Sequence, residues 1–137
     1  MDALEVLKKA EELGGESRKK AILSVLREAR ECGCEYSPGG GKVGGFNISY
    51  GSEKYSVMDV NCEGTVFLHI KPSANQSLSD EEREEANQFI DSLEGIAIKG
   101  GPIHSYGQAD KVVEDLPLSS LVSFLTFAVE RIDRLFG

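Results

Sequence analysis

The stretch Phe46-Asn-Ile-Ser-Tyr50-Gly-Ser-Glu-Lys54-Tyr55-Ser-Val-Met-Asp-Val-Asn-Cys62-Glu-Gly64-Thr-Val-Phe-Leu-His-Ile-Lys71 decides the fold. Phe46, Ile48 and Tyr50 alternate with polar residues at period two, the spacing of a strand with one buried face. The polar turn Gly51–Lys54 suits a hairpin. Tyr55 to Cys62 then places Met58, Val60 and Cys62 on one face and Tyr55 and Val57 on the other. Glu63-Gly64 turns the chain again. Thr65 to Lys71 follows, with Val66, Leu68 and Ile70 opposed to Thr65, Phe67, His69 and Lys71. Pro72 ends the strand, because it has no N–H for the ladder. The stretch predicts a three-stranded antiparallel meander.

One face of this meander is uniformly aliphatic and needs a cover of helices. The other is mixed, with Tyr55, Val57, Phe67 and His69 among polar neighbours. An antiparallel sheet can leave one face wet. These four residues carry more apolar surface than water contact calls for, so they are the candidate surface for a protein partner or a second copy. The competing reading has them covered by the N-terminal segment or by residues 36–45.

Outward from the meander, helical spacing is clear on both sides. Leu4, Leu7, Ala10 and Leu13 predict a short helix over 2–13, a peripheral addition ending at Gly14-Gly15. Ala21, Ile22, Val25, Leu26 and Ala29 predict a stronger helix from Ser17 to Cys32, with Gly33 as its stop; the two pieces read either as one kinked helix or as two. Ser79-Asp-Glu-Glu82 is a capping box. It opens a helix whose buried stripe is Ala86, Phe89, Ile90 and Leu93 and which Gly95 ends. Two short strands are expected at Ile96–Ile98 and Ile103–Tyr106. A long helix from Leu118 or Ser119 to Phe136 then spans nearly 30 Å at ~1.5 Å per residue. The fold class is α+β, a single domain over 1–137, with the last helix packed on one sheet face.

Residues 34–45 read as a flexible loop, with five glycines between Gly39 and Gly45. Lys42 invites a phosphate-loop reading, but Val43 stands where that motif needs Ser or Thr, and a strand follows instead of a helix. Dinucleotide binding fails on the same topology. A hairpin or lid loop remains. Cys32, Cys34 and Cys62, with His69 or His104, do not have the paired spacing of a structural zinc site. Cys62 and His69 fall on opposite sheet faces, which argues against a thiolate–imidazole pair. No Gly-x-Ser-x-Gly elbow occurs. No catalytic residue, metal or cofactor is expected.

The net charge is −8, and residues 80–94 account for −6 of it, with seven acids against Arg83. Such a balance disfavours nucleic acid and anionic membranes. Arg18-Lys-Lys20 is flanked by acids and reads as a wet helix face. Three cysteines form no disulfide framework and fit a reducing compartment. The first residues have no secretory pattern, and no apolar run reaches membrane length. The expected location is cytoplasmic.

The element order, the acidity and the final pattern Leu116-Pro-Leu-Ser-Ser-Leu-Val-Ser-Phe124 resemble the type III secretion chaperone-like fold. That fold is shared by small acidic bacterial secretion chaperones and the YbjN-type proteins. The resemblance covers the chain from about Ser17 onward, and the glycine-rich loop and the extra first helix depart from it. It implies a homodimer that binds an extended stretch of another protein, or a regulatory module. The expectation is a non-enzymatic protein-interaction module using Tyr55, Val57, Phe67 and His69. The alternative is a small ligand-binding domain or enzyme that uses Gly39–Gly45 with His69 or His104.

Overall fold

A computed structural model describes residues 1–39, 42–71, 78–99 and 106–136, except the side chains of residues 71 and 106. Helix α1 spans Ala3–Glu31. Asp2 caps it, accepting from the Glu5 N–H at 2.8 Å. Of the two readings, one kinked helix or two, the structure has the kinked one, broken at Gly15, where φ is 79° and ψ is −175°. Its first half is not peripheral: Val6 and Ala10 are fully buried in the core.

Four strands follow, β1 Glu35–Gly39, β2 Gly45–Tyr50, β3 Tyr55–Asn61 and β4 Val66–Lys71. Helix α2 is Asp80–Asp91, β5 is Tyr106–Gln108, a 3-10 turn covers Val113–Asp115, and α3 is Leu118–Phe136. The sheet is antiparallel in the order β1-β2-β3-β4-β5. The expected meander therefore gains β1 at one edge. Residues 35–39 were expected to be loop, because Pro38 and Gly39 are poor strand formers. An edge strand tolerates both, since only one side of it is paired. Tyr36 also packs edge-on against Phe46 with ring centroids 5.8 Å apart. Of the two strands expected after α2, the first shrinks to one bridge, Ile98 to Ala109. The second falls partly on 103–105, outside the described residues, and continues as β5 against β4.

Helices α1 and α3 lie side by side on the aliphatic face, α1 over β1–β3 and α3 over β3 and β4. Phe46, Ile48, Met58, Val60, Leu68 and Ile70 rise from the sheet to meet Ile22, Val25 and Leu26 of α1 and Leu121, Phe124 and Leu125 of α3. Each such buried side chain contributes about 1.5–3 kcal/mol. Helix α2 packs on α3 through stacked Phe89 and Phe127, 4.1 Å between centroids. The last helix keeps the expected limits, and the capping Ser79 accepts from the Glu82 N–H at 3.2 Å.

Candidate functional site

The side of the sheet turned away from α1 and α3 holds only part of the expected surface. Between β2 and β3 the register runs Ile48 with Met58 and then Ser49 with Ser56, so Val57 has no partner on β2. This bulge adds one residue to β3 and reverses the faces beyond it. Tyr55 turns to the helix side and stacks on Phe136, 5.0 Å between centroids. Val57 is fully buried in the core. Both leave the predicted surface, because strict period two does not survive an inserted residue. Phe67 and His69 stay on the far face, Phe67 half-buried and His69 only 3% exposed.

That face carries a row of hydrogen bonds across three strands. The Asn47 amide donates to Ser56 Oγ at 2.6 Å and to Asp59 Oδ1 at 2.8 Å. Asp59 Oδ2 lies 3.0 Å from His69 Nε2, and Ser56 Oγ lies 3.4 Å from the same nitrogen. Asp59 stands directly across from Phe67, which stands across from Gln108. The bulge is what brings Ser56 to this side. Serine, histidine and carboxylate meet here. Here Asp59 Oδ2 and Ser56 Oγ both address Nε2, so these two contacts tie β3 to β4 across the polar face. Asn47, Ser56 and Asp59 were not singled out from sequence, although their alternation with Phe46, Ile48, Met58 and Val60 on β2 and β3 marks them as polar-face positions.

Gly39 and residues 42–45 close one end of this face, and Gly40 and Gly41 lie outside the described residues. A cleft of about 320 Å³ opens between Gly39 and Lys42–Gly45 on one side and Asp59 and Phe67 on the other. Val43 is held from behind, its carbonyl accepting from the Lys9 ammonium at 3.1 Å. Gly45 is a packing position: a Cβ there would sit 2.6 Å from the Val60 carbonyl oxygen and 2.7 Å from Asn61 Cα. Residues 42–45 are thus part of the sheet end instead of a free lid. Of the residues in the alternative reading, the loop meets Phe67 and Asp59, with His69 one hydrogen bond behind. His104 lies outside the described residues.

The thiols are free. Burial, and next the neighbouring Cys32, push the Cys34 thiol up to about 12. Burial likewise raises Cys62, which donates to the Val6 carbonyl at 3.4 Å on the helix side of the sheet. Cys62 and His69 do occupy opposite faces. Among the described residues no three His, Cys, Asp or Glu side chains converge on a metal position, and no helix is long and apolar enough to cross a membrane. Comparison with protein-family models, with curated proteins and with solved structures finds no match to this chain.

Proposed function

We propose that this chain is a non-enzymatic protein-interaction module that receives a protein partner on the polar side of its sheet. One observation carries the reading: α1 and α3 both cover the aliphatic face, while the opposite face presents the Asn47–Ser56–Asp59–His69 row beside half-buried Phe67. Side chains already fixed by one another lose little freedom on binding, which suits recognition. An extended segment supplies main-chain donors and acceptors for such a row and an apolar side chain for Phe67. The order of helix, antiparallel meander, helix, short strand and long helix supports a type III secretion chaperone-like fold, and with it a chaperone-like or regulatory role. Three free cysteines support a reducing, cytoplasmic setting.

Phe67→Glu tests this. The variant is expected to keep its far-UV circular dichroism and to lose a stoichiometric partner that the tagged wild-type chain retains from its own cell lysate. Retention of the same proteins by both chains counts against the reading. Unfolding by Phe67→Glu does too, because it makes Phe67 a core residue.

The cleft supports a second reading, a small-ligand site between the glycine-rich segment and Phe67. A compound that raises the melting temperature of the wild type, but not of Lys42→Ala, favours it.

A further inference from the structure

Helix α1 is two helices joined by one residue of non-helical backbone. The Gly15 conformation, φ 79° with ψ −175°, is open essentially to glycine alone. Gly14 is needed as well, since a Cβ there would lie 2.2 Å from Nε of Arg18. Arg18 does not yield freely, because its guanidinium pairs with Glu114 at 3.0 Å and donates to the Cys62 carbonyl at 3.4 Å. Apart from this glycine pair the sequence from Ala3 to Glu31 favours a straight helix. It is rich in Ala, Leu, Glu, Lys and Arg and has no proline.

The part ahead of the break docks as a unit. Val6 and Ala10 are fully buried, Cys62 Sγ donates to the Val6 carbonyl, and Lys9 donates to the Val43 carbonyl. All of these contacts fall at one end of β2 and β3. None depends on the arm belonging to the same chain as the sheet. The exposed apolar residues point the same way. Among the described residues the large exposed hydrophobics are Met1, Leu4, Leu13 and Leu23, all in or beside α1. On a continuous helix Leu13 and Leu23 fall about 80° apart around the axis and about 15 Å apart along it, two exposed apolar side chains on neighbouring faces.

We propose that residues 3–14 are an exchangeable arm. With α1 straightened at Gly15, the arm docks on the sheet of a second copy, giving an arm-swapped dimer in which exposed Leu13 and Leu23 are free to make additional contacts. Kinked and straight forms make the same arm-to-sheet contacts, so the balance rests on the hinge, the exposed Glu11–Lys19 pair that crosses it, the exposed leucines and the protein concentration.

Gly15→Ala strains the kinked form and favours the straight one. Light scattering is expected to show the monomer–dimer midpoint shifted at least tenfold to lower concentration. Val6→Cys adds the topology, since Cys62 Sγ already reaches the main chain of residue 6, 3.4 Å from its carbonyl oxygen. Oxidation of Val6→Cys/Gly15→Ala is expected to give a covalent dimer linked between positions 6 and 62. Val6→Cys alone is expected to give a fraction of the same dimer that rises with protein concentration. A 6–62 bond that stays within one chain in both variants at every concentration overturns the proposal. So does a dimer in which that bond is intramolecular. If Gly15→Ala does not fold, Val6→Cys alone decides, because it keeps the native hinge.

Discussion

Cys34 lies just beyond α1 with only 5% of its surface exposed, and its thiol is pushed up to about 12 by burial and then by Cys32. Tyr50 moves the same way, because its hydroxyl donates to Asp133 at 2.8 Å and that carboxylate holds the phenol protonated. A pKa raised on folding means that the folded state keeps a proton the unfolded chain has lost. Stability from these groups is complete below about pH 8.5–9, where an unfolded thiol is still protonated, and falls as the pH climbs toward the folded values. The melting temperature is therefore expected to drop from pH 9 to 11, and Cys34→Ala to drop less steeply over that range. Parallel curves for the two proteins would show that Cys34 does not contribute. The same residue should resist iodoacetamide at pH 8 while half-exposed Cys32 reacts. Single residues were legible from the sequence where period two held, as at Phe46, Ile48, Val60 and Leu68. Tyr55 and Val57 were not, because a bulge without glycine or proline has no signature in this stretch, and one inserted residue reverses every face beyond it.

At the scale of elements, α2 was legible because its signals are local: Ser79 as cap, Glu82 three residues on, then Ala86 and Ile90 buried at helical spacing. β1 was not, because its strand character comes from pairing with β2, and Pro38 and Gly39 argue locally against it. What local signals omit for α2 is its attachment. Arg131 of α3 bonds Glu82 and Glu85 and lies over the Phe127 ring, 4.7 Å from its centroid, while Phe127 stacks on Phe89. Burial works against the Arg131 charge, yet the hydrogen bonds that it donates to Glu85 and Glu82 outweigh this and raise the guanidinium. Arg131→Met keeps much of the stem's packing on Phe127 and removes the charge. The variant is expected to lose about 1–3 kcal/mol, between the figures for exposed and buried pairs. Urea denaturation measures this, and a loss below about 0.5 kcal/mol would reduce the cluster to a surface ion pair.

The whole molecule is a two-layer structure with unequal tethering, and its layering follows from the sequence. An aliphatic stripe on three strands requires a helical cover, and α1 and α3 carry the matching stripes. The edge strand β1 and the dependence of α2 on α3 come from long-range pairing, which no short window contains. β3 sits at the centre, paired on both sides and lying under both long helices. Met58 and Val60 therefore have no route to solvent short of unfolding the sheet. α2 is joined to the body chiefly through side chains of α3, and it carries most of the chain's excess acid, whose mutual repulsion favours release. Its amides should open in a separate step of lower free energy. Native-state hydrogen exchange is expected to show Ala86–Ile90 at least tenfold faster than Met58 and Val60, a gap of about 1.4 kcal/mol or more. Arg131→Met should widen that gap by speeding α2 more than β3. If α2 exchanges as slowly as Met58 and responds to Arg131→Met in step with it, α2 belongs to the same cooperative unit as the sheet, and the ion cluster stabilises the whole fold instead of one helix.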